Sequence, residues 1–318
     1  MPFRNKHPLL KYSLLTLVYG LLFFVLLEML AKKTFINKYS VNQFDSDKET
    51  VVVIGDSFAA IGGSFPFVLA KHFKGKINIL NISENGFGPE HYLMNVKLAQ
   101  KIEPSPQFVI LSIFVGNDIL NLDEDYHNNR REKIKMFLGS RFFSYHMLRW
   151  AWVNVKYTKR KKELLKESKE TNILNPLLSR RSAANPDIVI DNLLVDKGIY
   201  QGKWKLFADF TKQFINFSRR HNNPLAIVII PEHIQVSDRY QKLYIDTGYN
   251  MIPATDQLTG PQDRIKTLVT QMNVPYLDML PILKTHDQYD LYYDNDPHLT
   301  HKGQNLLAQE ILAQGWWE

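Results

Sequence analysis

Five stretches of the sequence are rich in aliphatic residues and stop at a polar turn: ETVVVIGDS, KINILNIS, QFVILSIFVGND, PLAIVIIP and VPYLDM. Runs dominated by Val, Ile and Leu without strict polar alternation suit strands buried on both faces rather than strands with one wet face. Helical patterns separate the runs, at 64–73, 90–101, 203–220, 263–272 and 300–314. Strands alternating with helices in this way predict an α/β fold with a parallel sheet covered on both sides. Ligands of such sheets bind beyond the carboxyl ends of the strands, so chemistry is expected just after each run.

The residues found there are reactive types. Ser57, in VVVIGDSF, follows the first run and opens a helix, where unpaired N–H groups would face an oxyanion. A serine hydroxyl is a weak nucleophile until a base takes its proton; otherwise Asp56 and Ser57 are ordinary helix-capping types. Gly86, in SENGFGPEH, ends the second run and can bring a backbone N–H close to a substrate, or simply make a turn. Asn117, in FVGNDI, ends the third and offers a side-chain amide; one oxyanion donor of this kind is worth about 3–4 kcal/mol. Near the C-terminus, YYDNDPHLTHKG places His298 two residues after Asp296 and four after Asp294, with His301 a turn further on. Imidazole is the usual base for a serine, and a carboxylate fixes its tautomer. His233 and Gln235, in PEHIQV after the fourth run, could touch substrate or be plain loop residues, and Asp56 is a candidate for substrate binding or for bracing its turn.

In these blocks, IGDSF, NGFG, VGND and DPHLTHKG, the chain resembles the SGNH hydrolases, also called the GDSL esterase/lipase superfamily. The resemblance spans residues 50–314 and implies a three-layer α/β/α sandwich with a five-stranded parallel sheet. It also implies Ser57 as nucleophile, His298 as base, and an oxyanion hole of the Ser57 N–H, the Gly86 N–H and Asn117. The commonest form of the last block has its acid three residues before the histidine, where this chain has Asn295. Asp296 resembles a D-x-H variant of the family, with Asp294 as the alternative acid. The implied activity is ester hydrolysis or acyl transfer, on O-acylated envelope carbohydrate or on lipid; a non-catalytic envelope-assembly protein is the rival of another class.

The rest of the chain sets the context. Residues 12–31 hold a single charge, Glu28, and match the roughly 20 residues that cross a bilayer core. Arg4, Lys6 and Lys11 precede them, and Lys32, Lys33 and Lys38 follow, so charge gives the orientation only weakly. The expected organisation is an anchor at 1–33, a polar linker at 34–49 and a hydrolase domain at 50–318, with a helical insertion at about 120–200 as a lid or a peripheral pair. A single pass of the inner membrane with an extracytoplasmic domain follows, with envelope polysaccharide machinery as a possible partner. The absence of cysteine excludes disulfides, thiol nucleophiles and thiolate metal sites. A net charge of +7 raises nucleic acid as a partner, but the basic residues are dispersed apart from KRKK at 159–162, and no nucleic-acid signature is present. Scattered histidines, no H-E-x-x-H and no glycine-rich loop ending in Lys leave no cofactor and no metal expected.

Overall fold

A computed structural model describes residues 8–120, 122, 129–171, 176–195, 201–286 and 290–317; Arg4 and Lys6 of the basic flank lie outside them. In chain order the elements are α1 (Pro8–Tyr39), β1 (Thr50–Ile54), α2 (Ser57–Ala60), α3 (Phe65–Phe73), β2 (Asn78–Asn81), α4 (Pro89–Ala99) and β3 (Phe108–Phe114). There follow α5 (Arg130–Gly139), α6 (Phe143–Thr171), α7 (Pro176–Ala184), α8 (Ile188–Leu194), α9 (Gln201–Arg220) and β4 (Leu225–Ile230). The chain ends with α10 (His233–Val236), α11 (Gln241–Asp246), α12 (Gly260–Gln271), β5 (Tyr276–Asp278), α13 (Met279–Thr285), β6 (Tyr292–Tyr293), β7 (Asp296–Leu299) and α14 (His301–Ala313).

The five aliphatic runs form one parallel sheet in the order β2-β1-β3-β4-β5, as expected, and helices cover both faces. The period of two in a strand explains the uniform hydrophobicity of β1. Val52 and Ile54 enter one core with α4 and α9, whereas Val51 and Val53 enter the other with α3 and α14. Strand order reverses between β1 and β3, and it is there that a doubly wound sheet opens its ligand crevice. Ser57 and Asn117 follow these two strands.

The N-terminal helix departs from expectation in one important way. Leu15–Tyr39 is long and apolar enough to cross a membrane, and Leu17, Tyr19, Leu21 and Phe23 are all more than half exposed. The segment at 34–49, expected as a free linker, is built into the domain. Helix α1 runs on to Tyr39, and Phe35 and Tyr39 are buried in the core with α4 and α9. Beyond it, Val41 N–H donates to Ile79 O at 2.9 Å, and Asn42 bonds Ile77 O and Ile79 N–H, so the chain lies along the edge of β2. The polar residues that suggested solvent are pairing with an open strand edge.

Glu28, the lone charge of the apolar run, accepts the Phe143 N–H at 2.9 Å and the Ser144 N–H at 3.1 Å. It therefore caps α6, satisfying donors that a helix start leaves open. The insertion is fastened to α1 at this point, with Phe24 edge-on to Phe142 and Phe35 edge-on to Phe143. If 34–49 were a free linker, Phe35→Ala would leave stability unchanged. With Phe35 fully buried, we expect a loss of about 3–5 kcal/mol in chemical denaturation of the detergent-solubilised chain.

Candidate active site

Two parts of the chain far apart in sequence, Ser57 and the Asp296–His298 pair, meet at the carboxyl end of β1. Ser57 Oγ lies 2.7 Å from His298 Nε2, and His298 Nδ1 is hydrogen-bonded to Asp296 Oδ1. Asp296 Oδ1 also accepts the backbone N–H of His298 at 2.9 Å. The two-residue spacing has a plain cause. Asp296 and His298 both belong to β7, and residues i and i+2 of a strand share a face. Asn295 and the exposed Asp294 sit in the turn before it, so the structure brings Asp296, not Asp294, to the histidine. Phe58 lies against the imidazole at a centroid distance of 4.8 Å and is itself stacked on Phe114 at 4.0 Å. Nothing in the sequence marked Phe58 as part of this arrangement.

The nucleophile turn is held by its neighbours. A Cβ on Gly55 would lie 2.9 Å from the Ser112 Cβ, so only glycine lets β1 end this close to β3. Asp56 caps α2: Oδ1 accepts the Phe58 N–H at 3.0 Å, and Oδ2 accepts the Asn117 amide at 3.0 Å. Asp118 closes the turn after β3, accepting the Phe114 N–H at 3.0 Å and the Tyr92 hydroxyl at 2.7 Å. Asn117 thus spends one amide hydrogen on Asp56; the amide carries a second that a ligand could take. Gly86 stands exposed at φ +75°, a conformation glycine adopts without strain, on the loop after β2. That loop reaches the nucleophile turn through the Glu84 N–H, which donates to Gly55 O at 3.4 Å.

Of the alternatives open for Asp56 and His233, the structure fits the structural ones: both side chains are fully buried, Asp56 bracing its turn and His233 held through Nδ1. His233 bonds Glu232 Oε1 through Nδ1 at 2.8 Å and lies among Tyr240, Tyr244 and Tyr292. Glu232 also accepts the Tyr244 hydroxyl at 2.6 Å, and Gln235 closes a capping box with it. PEHIQV is thus a bracket beneath the site rather than its rim. His301 is exposed, with its ring against Gly63. A groove of about 870 Å³ lies between α4, α5 and α9 and contains none of these residues. Among the described residues no cluster of metal-ligating side chains occurs.

Electrostatics suit a base. Burial favours the neutral form of His298, but the hydrogen bond and charge of Asp296, with Asp56 and Glu232 behind it, raise its pKa above the ordinary 6.5. Burial likewise pushes Asp296 up, yet its bonds to His298 win and hold it below the usual carboxylate range. Asp56 is raised, chiefly by burial, against the pull of Phe58 N–H, Asn117 and His298.

No family model matches the sequence, and no curated protein matches it. Solved structures of similar layout exist. One is an acetylxylan esterase of Geobacillus stearothermophilus in a catalytic mutant form, with 10% identity, TM-score 0.44, and 84% of this chain and 93% of that one covered. Another is a putative lipolytic protein of the G-D-S-L family from Desulfitobacterium hafniense, with 14% identity, TM-score 0.41, and 82% and 97% covered. A third is a psychrotrophic esterase of Pseudoalteromonas, with 11% identity, TM-score 0.41, and 84% and 98% covered.

The His298–Asp296 pair makes a measurable prediction. A histidine with a raised folded pKa contributes stability that is fully present below its unfolded value and is lost as pH rises through the folded one. NMR titration should therefore place the His298 midpoint above 6.5, and Asp296→Asn should bring it down. An unmoved midpoint would separate the two side chains in solution.

Proposed function

We propose that this chain is a serine esterase of the SGNH type, acting on ester-linked acyl groups. The observation that carries the reading is the contact of Ser57 Oγ with His298 Nε2 at 2.7 Å, with Asp296 on the far ring nitrogen. His298 takes the Ser57 proton as Oγ attacks the ester carbonyl, and Asp296 holds the ring in the tautomer that allows this. The Ser57 N–H, the Gly86 N–H and the second Asn117 amide hydrogen receive the oxyanion. His298 then returns its proton to the departing alcohol, leaving an acyl-Ser57 ester. In the second half His298 deprotonates the acceptor, which attacks the acyl carbon and frees the serine. Water as acceptor gives hydrolysis; a sugar hydroxyl gives transfer.

The substrate in this reading is O-acetylated cell-envelope carbohydrate. Helix α1 anchors the domain at the membrane with the N-terminus in the cytoplasm and the site outside. Glu28 supports the geometry: it is taken up in capping α6, so the stretch before it, residues 8–27, is about 30 Å long, the thickness of a bilayer core.

A fluorophosphonate probe tests the chemistry. It should label the wild-type chain, leave Ser57→Ala unlabelled and label His298→Ala slowly at best. Asp296→Asn should retain the nucleophile while kcat on an aryl acetate falls by up to about 10⁴-fold. Labelling that persists in Ser57→Ala, or no labelling of the wild type, would reject the mechanism.

A further inference from the structure

The groove between α4, α5 and α9 takes no part in the ester chemistry. Helix α4 leaves the carboxyl end of β2 and returns the chain to the amino end of β3, and α9 leads into the amino end of β4. Their last turns, with Lys97, Phe217 and His221, therefore line the groove at the end of the sheet opposite Ser57. The same end receives α1. Glu28 caps α6 at Phe143 and Ser144, directly after the groove residues Arg141 and Phe142. Phe142 in turn meets Phe24 at a centroid distance of 5.6 Å. Phe24 belongs to the stretch read above as crossing the bilayer, so the groove adjoins the hydrocarbon boundary.

The lining divides into an apolar floor and a cationic rim. Met136, Phe142 and Phe217 are partly exposed along the floor, and Phe137 is half-exposed beside them. Lys97, Lys101 and Arg141 form the rim, and no acidic residue lines the groove. Among the described residues neither Lys97 nor Arg141 is paired with a carboxylate. Burial and the adjacent charges of Arg220 and Arg141 instead lower the Lys97 pKa below the ordinary lysine value. The Arg141 guanidinium lies over the Phe137 ring at 4.0 Å, which fixes its plane and leaves its N–H edge open. Lys101 donates to Arg141 O at 2.6 Å and so ties the end of α4 to this turn. A volume of about 870 Å³ lies within the roughly 300–1,000 Å³ of small-molecule sites. Uncompensated cations over an apolar floor, next to a membrane, suit an anion that carries a hydrocarbon chain.

We propose that this groove seats one anionic phospholipid of the adjoining leaflet, with its phosphate at Lys97 and Arg141 and part of an acyl chain on Met136, Phe142 and Phe217. The proposal rests on α1 crossing the membrane and is independent of the esterase reading. The lipid is held and not turned over, because Ser57 stands at the other end of the sheet. It gives the domain a second point of attachment beside α1, which holds the amino end of the sheet to the bilayer and turns the Ser57 crevice away from it.

Photocrosslinking of the full chain in phosphatidylcholine nanodiscs tests this. The discs carry a minor fraction of phosphatidylglycerol, or of phosphatidylcholine, with a diazirine midway along one acyl chain. Peptide mapping should find the phosphatidylglycerol label on α5 and α9 as well as on α1. The phosphatidylcholine probe should label α1 equally but α5 and α9 at least about fivefold less. Lys97→Gln with Arg141→Gln should bring the phosphatidylglycerol label on α5 and α9 down to that level and leave α1 unchanged. Circular dichroism checks the fold of the pair, and Lys97→Gln alone, at a partly exposed side chain, should show the same loss in part. Label on α1 with none on α5 and α9, or equal label there from both lipids, would overturn the site. A wild-type chain unlabelled even on α1 would reject the membrane reading itself, and the lipid site with it.

Discussion

The buried carboxylate of Asp56 joins the two strand ends on which the site is built. It is fully enclosed, caps the helix that begins with Ser57, and accepts the amide of Asn117 across the reversal between β1 and β3. A carboxyl group cut off from solvent is tolerated only when its hydrogen bonds are met, and here the donors are the parts that need aligning. Remove it, and the nucleophile turn and the Asn117 turn lose their common reference. This gives the acid beside the serine a structural role. The Asp118 carboxylate does the same for the turn after β3, through Tyr92 and Phe114.

A second constraint comes from strand geometry. Ser57 and His298 are 241 residues apart, and their meeting depends on β7 presenting His298 from the end of the chain. Because Asp296 shares the strand and the face, the acid–base pair moves as a unit. A spacing of three would place the acid on the opposite face of a strand and would need a turn or loop to return it. The two-residue spacing of Asp296 and His298 is therefore matched by the extended backbone of β7.

What was legible in the sequence follows from how local each signal is. The parallel sheet was readable because burial on both faces leaves its central strands, β1, β3 and β4, dominated by aliphatic residues. Ser57 and Asn117 stood out because they follow two of those strands, and the Asp296–His298 pair because the acid and the histidine are close in sequence. The alternatives for Asp56 and His233, substrate contact or structural residue, stayed open in the sequence because burial is a property of the whole packing. A polar type in a loop looks the same whether it faces solvent or, like His233, three tyrosines. Glu28 was read as an oddity of an apolar run; its partner, the start of α6, lies more than a hundred residues away. The same distance hid Phe35, whose burial turned an expected linker into part of the core.

That last difference changes how the anchor relates to the chemistry. At the end of α1, Lys38 and Tyr39 both bond Glu84, on the loop that leads to Gly86, and Tyr39 bonds His146 of α6 at 2.9 Å. Further along α6, Arg149 bonds His91 and lies over the Phe87 ring, next to Gly86. Burial and the nearby charges of Lys38, Arg149 and His91 push His146 down to about 3, so it stays neutral in this contact. The loop bearing the expected oxyanion glycine is therefore clamped between the anchor and the insertion rather than left to its own turn. A tether needs no such contacts. Helices α1 and α6 instead brace the loop that carries Gly86, through Lys38 and Tyr39 on one side and Arg149 on the other.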